Sequence, residues 1–213
     1  MKTYLFDFDG TLVDSMPVYM SAMLRILDEN GIEYGDDIMR TITPLGNIGT
    51  AKYFIELGVK LSVEEMLLKM KEYMLDGYLY HIPAKKNVIS TLKQLKNSGA
   101  SLNVLTASTH ATLDACLKRL GIFDIFDNVW SCDDFETTKA NPEIYKMAAE
   151  KIGQAVGDIL FVDDNINADK TAKSAGMKVC GIYDDSSKDC IEEIKAAADY
   201  YVFDFSELLG LSF

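Results

Sequence analysis

No stretch of the sequence approaches the roughly 18 uninterrupted apolar residues of a membrane-spanning helix. Cysteine is scarce: Cys116, Cys132, Cys180 and Cys190 are scattered through 213 residues, with no CxxC pair and no histidine at zinc spacing. That pattern excludes a disulfide framework and a structural zinc site, and it suits reduced thiols. Cys116 and Cys180 lie among apolar neighbours and are expected as small core residues. The opening MKTYLFDFDG lacks the apolar core of a secretion signal, so a cytoplasmic protein is expected. Positive charge is also short, with 21 Lys and Arg against 33 Asp and Glu and a net charge of −12. This argues against nucleic acid or an anionic membrane as partner. It also sets a condition, because an anionic substrate would need a local cation to offset the field. The two histidines, His81 and His110, are isolated and expected to be structural or superficial. Lys85-Lys86 is expected as a short solvated basic edge.

What is present is the composition of an ordinary globular protein, 48% hydrophobic and 25% charged, with room for one large domain or a core with a modest second one. Tyr4 to Phe8 reads as a buried strand. After Ser15-Met16-Pro17, a helix-start signal, Met20, Met23, Leu24 and Leu27 recur at helical spacing until Gly31. A second helix is expected from Ala51 to Leu57. Ser62-Val63-Glu64-Glu65 is a capping box, and Val63, Met66, Leu67, Met70 and Met74 share one face of the helix that it opens. That methionine stripe is expected to be core. From residue 88 onward, helices alternate with apolar strands at Leu102–Leu105, Val129-Trp130, Ile159–Val162, Lys178–Ile182 and Tyr200–Phe203. This alternation predicts an α/β fold, a Rossmann-like parallel sheet covered on both faces. Its first strand is separated from the rest by a small all-helical insertion. The expected division is residues 1–15 with 82–213 as the core and 16–81 as the cap, with hinges at 13–17 and 80–85.

Ligands of open parallel sheets bind beyond the carboxyl ends of the strands, and polar residues gather at those ends here. Asp7 and Asp9 follow the first strand, and Thr106 and Ser108 follow the second. Asp163 and Asp164 end ILFV, while Lys139 precedes the helix at Pro142. Several carboxylates do not sit together ionised without a compensating cation, and an oxygen-rich set with few protein ligands suits Mg²⁺. Asp7 and Asp9, two apart on an extended chain, point to one side while Phe8 points into packing. One can attack while the other handles a proton. Gly10 frees the backbone to turn. The Thr106 hydroxyl, nearby backbone N–H groups and the N-terminus of a helix capped by Thr109 form a phosphate cradle. Lys139 supplies positive charge for the phosphoryl group.

These motifs, FDFDGTLVDS, VLTAS, Lys139 in KANPEIY, and FVDDNINADKTAKSAGM, resemble in order those of the haloacid dehalogenase superfamily. The resemblance spans essentially the whole chain. It points to the subgroup with a small helical cap, which includes phosphoglycolate phosphatases and β-phosphoglucomutases. It implies that Asp7 is a phosphorylated nucleophile and Mg²⁺ ligand. Asp9 would be general acid and then base, with its carbonyl on the metal. Thr106 and Lys139 would hold the phosphoryl group, Lys139 also steadying Asp7. Asp164 would ligate the metal, with Asp163 as a direct or outer partner. Gly10, Ala107 and Ser108 are the candidate substrate contacts. Ala140 stands where the family often has proline, although Pro142 is retained. Ala168 stands where many members have a second aspartate. Asp169, one residue on, either substitutes for it or is a surface helix residue, and the surface position is expected.

The resemblance thus implies an Mg²⁺-dependent phosphatase acting on a small phosphorylated metabolite, as a monomer or weak dimer. Asp9 argues against dehalogenation, since true dehalogenases replace that aspartate. A mutase of the β-phosphoglucomutase type carries a histidine near the place of Tyr19, so hydrolysis is favoured. A phosphonatase would need a Schiff-base lysine in the cap, for which Lys52 is the nearest position. A receiver-like phospho-acceptor gathers similar groups but has its acidic pair first and no helical insertion. A catalytically dead binding protein on the same fold is disfavoured by the complete set. Substrate choice is assigned to the cap, where Arg40, Asn47, Lys52 and the loop TPLGNIG are candidates, its glycines Gly46 and Gly49 giving mobility.

Overall fold

The computed structural model describes residues 1–213 except Asp36, Thr43 and Pro44, and except the side chain of Arg40. The described chain divides into two compact units, residues 1–14 with 82–213 and residues 15–81.

The larger unit is built on a parallel six-stranded sheet in the order β3-β2-β1-β4-β5-β6. The strands are β1 (Thr3–Phe6), β2 (Ser101–Thr106), β3 (Asn128–Ser131), β4 (Ile159–Asp163), β5 (Lys178–Ile182) and β6 (Tyr200–Val202). β1 is central, and all four of its residues are fully buried, with Tyr4, Leu5 and Phe6 in the hydrophobic core, which suits a strand covered on both faces. Alternate side chains leave it in opposite directions. Leu5 joins Leu105, Phe161 and Val179 in one core cluster with Ile144, Tyr145, Ala168 and Ala172. Tyr4 and Phe6 stack on the other side, where Phe6 meets Phe126 and Phe205. Phe8 is fully buried, as its packing role requires, and so are Cys116 and Cys180. All four cysteines are free. The helices of this unit are numbered after those of the insertion: α5 (Val88–Asn97), α6 (His110–Arg119), α7 (Glu143–Ile152), α8 (Ile166–Ala175) and α9 (Ile191–Ala197).

The smaller unit contains α1 (Met16–Glu29), α2 (Ile38–Ile42), α3 (Gly46–Glu56), α4 (Val63–Asp76) and a π-helical turn at Gly77–His81. The Ser62–Glu65 capping box forms. Met66 and Met70 are buried in the unit's core with Met23, Ile26, Leu27 and Phe54, and Val63, Leu67 and Met74 pack against it. The methionine stripe is core, as expected. α3 begins five residues before the expected start at Ala51, so Gly49 lies within the helix and Gly46, at φ +62°, stands at its first position. The TPLGNIG reading at Thr43 and Pro44 lies outside the described residues.

Candidate active site

Parallel pairing places the carboxyl ends of the strands along one edge. Phe6 is level with Val104 on one side and Val162 on the other, so Asp7 follows β1 between the end of β2 and the end of β4. The Asp7 N–H donates to Val162 O at 2.9 Å, continuing the ladder one residue beyond the strand. Ligand oxygens of Asp7, Asp163 and Asp164 lie within 4.8 Å of one another, and all three residues are buried.

Lys139 organises this cluster. Its Nζ pairs with Asp7 Oδ1 at 2.8 Å and donates to Asp163 Oδ2 at 2.7 Å. Burial works against the ammonium charge, but Asp163 and Asp7 outweigh it and hold the group well above its ordinary value. The Tyr145 hydroxyl anchors the neighbouring backbone through the carbonyls of Lys139 and Ala168, at 3.2 Å each. Asp163 Oδ1 accepts the Asn165 N–H at 2.7 Å. Both Asp163 oxygens are therefore engaged by the protein, which makes this carboxylate the holder of Lys139.

Asp164 is different. Its Oδ1 accepts the Thr11 hydroxyl at 3.0 Å. Burial first, then the charges of Asp163 and Asp7, push its carboxyl well above the usual range. A group so placed gains most from a cation. The donor set fits a hard divalent ion, which takes few carboxylates and keeps its waters.

Gly10 does more than turn the chain at φ +76°. A Cβ there would stand 2.5 Å from Asp164 Oδ2, so the turn and the Asp164 carboxylate are in van der Waals contact through a position that admits no side chain. Thr106 is buried, and its Oγ1 accepts the Ser108 N–H at 3.1 Å. The Ser108 hydroxyl, a candidate substrate contact, donates instead to Asp9 Oδ2 at 2.6 Å. Ala107 is exposed at the same loop. Thr109 is the N-cap residue of α6 but makes no side-chain cap hydrogen bond.

Two expectations fail here. Asp169 is fully buried, not a surface residue, and neither carboxyl oxygen has a hydrogen-bond partner. Burial, followed by Asp163 and Asp164, pushes it up to about 9. The face of α8 that carries Asp169 also carries the buried Ala168 and Ala172, so the aspartate turns inward with them. Lys85 is not a solvated edge, since its side chain is only 18% exposed and pairs with buried Asp184. Thr11 and Asp184 went unassigned by sequence reasoning. Thr11 adjoins the first motif in FDFDGT, whereas nothing local marks Asp184. In the helical unit Asn47 and Lys52 are exposed, and the side chain of Arg40 is outside the described residues. The Tyr19 hydroxyl donates to Asn47 Oδ1 at 2.6 Å. His110 is exposed and bridges Asp114 and Asp134, each at 2.8 Å.

Comparison with known proteins places the fold and the family. The fold matches a candidate β-phosphoglucomutase structure from Thermotoga maritima with a TM-score of 0.85 at 24% identity, over 99% of this chain and 97% of that one. It also matches CbbY from Rhodobacter sphaeroides in complex with xylulose-1,5-bisphosphate, with a TM-score of 0.77 at 20% identity over the whole of both chains. In sequence, the chain is 29% identical to the candidate phosphatase YhcW of Bacillus subtilis and 28% identical to pyrophosphatase PpaX of Bacillus velezensis, in each case over 84% of this chain and 81% of the relative. Residues 4–182 match the family model for haloacid dehalogenase-like hydrolases. That match covers most of the sequence, and the chain belongs to the haloacid dehalogenase-like hydrolases.

Proposed function

We propose that the protein is a Mg²⁺-dependent phosphatase that hydrolyses a small phosphomonoester through a phospho-aspartyl intermediate on Asp7. The observation that carries this reading is the Lys139 ammonium between Asp7 and Asp163. It holds one Asp7 oxygen in place at the strand ends, where a nucleophile is needed.

An oxygen of Asp7 attacks phosphorus, and the bond from phosphorus to the leaving oxygen breaks. Asp9, protonated at this stage, gives its proton to that oxygen, releasing the alcohol. The Asp9 carboxylate then takes a proton from water, which attacks the aspartyl phosphate and returns Asp7 and inorganic phosphate. The Ser108 hydroxyl on Asp9 Oδ2 fixes the orientation of this carboxyl group. Thr106 and Lys139 receive the phosphoryl oxygens, aided by backbone N–H groups of Ala107 and Ser108. Asp7 and Asp164, with the carbonyl of Asp9, would hold the cation, which would supply positive charge to the phosphoryl oxygens.

Hydrolysis is favoured over the mutase reaction because Tyr19, where the mutase subgroup carries histidine, is engaged with Asn47. The names of the relatives, phosphatase and pyrophosphatase, point the same way. The test is hydrolysis of p-nitrophenyl phosphate by wild type and Asp7→Asn, with Mg²⁺ and with chelator. Turnover is expected only for wild type with Mg²⁺. Retained turnover in a folded Asp7→Asn protein would remove the nucleophile, and a metal-independent rate would remove the cation.

A further inference from the structure

Lys85 belongs to none of the motifs described, yet it is tied to one of them. It lies in the segment leading from Ile82 into α5. Its backbone N–H donates to Leu12 O at 3.0 Å, and Ala84 bridges Val13. The side chain continues inward, and all three ammonium protons find oxygen. Nζ donates to Gly10 O at 2.5 Å, Tyr183 O at 2.7 Å and Asp184 Oδ2 at 2.8 Å. Asp184 is itself held, its Oδ1 accepting the N–H and hydroxyl of Ser186 at 2.9 and 2.6 Å.

One ammonium therefore joins the turn after β1 to the end of β5. The sheet does not make this connection, since β1 pairs only with β2 and β4. The turn is also held by backbone bonds, Gly10 N–H to Val13 O and the N–H groups of Leu12 and Val13 to Phe8 O, and by the side-chain bonds Thr11 to Asp164 and Ser108 to Asp9. None of these fixes the Gly10 carbonyl. That carbonyl is one peptide beyond Asp9, and the Gly10 Cα stands against the Asp164 carboxylate. A rotation of this peptide would move Asp9 and open the contact with Asp164 together. Charge-assisted bonds of this kind are the strong ones.

We infer that Lys85 is a positioning residue for phosphoryl transfer, holding the Gly10 peptide so that Asp9 and Asp164 keep their places around the reacting phosphoryl group. The inference rests on the phosphatase reading above. It differs from a purely stabilising ion pair with Asp184, and the two separate experimentally.

Lys85→Met keeps the methylene stem and removes the donors. The double variant Lys85→Met with Asp184→Asn also removes the carboxylate that the single change leaves without its cation. The measurements are kcat and KM on p-nitrophenyl phosphate with Mg²⁺, the melting temperature, and hydrogen exchange at Gly10, Leu12 and Val13. Lys85→Met is expected to lose about a hundredfold in kcat, the scale of a misplaced reacting group, with KM little changed and faster exchange in the turn. The double variant is expected to regain melting temperature but neither kcat nor protection. Recovery of kcat along with melting temperature in the double variant would overturn the inference, as would wild-type kcat and exchange in Lys85→Met. If wild type hydrolyses no phosphoester, the phosphatase reading fails, and the exchange measurement still decides whether Lys85 holds the turn.

Discussion

Two lysines, one in each unit, bridge a pair of oxygen groups in nearly the same way. Lys139 spans Asp7 and Asp163 at 2.8 and 2.7 Å. Lys69 spans Glu29 and the Tyr73 hydroxyl at 3.0 Å each, and that hydroxyl donates to Glu29 at 2.5 Å. Arg25 stacks over the Tyr73 ring at 4.0 Å and pairs with Glu29. The distances hardly differ, but the surroundings do. The Lys139 side chain is 14% exposed between partners that are nearly or wholly buried, whereas Lys69 is 38% exposed and Glu29 35%. Around Lys69 the hydrogen bonds from Tyr73 and Lys69 lower the Glu29 carboxyl to about 2, which is the ordinary behaviour of a carboxylate with donors in water. Around Lys139, burial pushes Asp163 and Asp164 upward despite the ammonium. Contacts of similar length thus make a solvated brace in one unit and a charge-hungry site in the other, because burial and a second carboxylate disfavour the charged acid there.

The comparison breaks most visibly at Lys139. Lys139→Met leaves Asp7 and Asp163 facing each other in a buried place, and the expected loss is about 3–5 kcal/mol of stability, read from urea denaturation. A cost as small as that of a surface pair would make the two lysines equivalent. Asp169 comes next. Its carboxyl keeps its proton to about 9 in the folded chain, against about 3.9 unfolded. The folded state therefore binds the extra proton between those values, and stability falls as pH rises through that window. Asp169→Leu is expected to flatten this decline and to gain about 1–3 kcal/mol near neutrality by removing unpaired buried oxygens. A destabilised Leu variant would show that the carboxyl has a partner in solution.

His110 is intermediate. Its hydrogen bonds to Asp114 and then Asp134 raise its pKa, so its contribution is full below the unfolded value of about 6.5 and lost as pH rises through the higher folded value. With a side chain 43% exposed, the contribution is expected below about 1 kcal/mol. Melts of His110→Ala and wild type should differ at mildly acidic pH and converge in alkali. Lys69→Met should have the smallest effect, a slight fall in melting temperature at low salt that vanishes near 1 M, where the Debye length is about 3 Å. Persistence of the effect in salt would place Lys69 with Lys139.

What the sequence disclosed follows the range of the forces involved. ILFV read as a central strand because burial on both faces leaves a continuous apolar run, and the Ser62–Glu65 box read as a helix start because its partners are three residues apart. The helix α2, five residues long, is too short to show a period. Gly46 and Gly49 carry the signal of a loop, yet the helix α3, which buries Thr50, Ala51 and Phe54, starts at Gly46. Asp7, Asp163, Asp164 and Lys139 could be picked out because each ends or follows a recognisable segment. Lys85 could not, since its three acceptors lie 75, 98 and 99 residues away. Asp169 looked like a solvated helix residue because a buried acid without a partner is the rarer case.

The strand order also sets a timetable for the nascent chain. The unit of residues 15–81 is continuous in sequence and can close on itself soon after it is made. β1 precedes it but has no neighbour until Ser101–Thr106 exists, and its other flank waits for Ile159–Asp163. At about 5–20 residues per second, the stretch from Asp7 to Asp163 takes roughly ten to thirty seconds to synthesise. Until β2 exists Tyr4, Leu5 and Phe6 have no strand partner, and until β4 exists the carboxylates that will share Lys139 are still apart. The arrangement that brings the reactive groups together thus waits for most of the chain, which leaves β1 exposed for much of its synthesis.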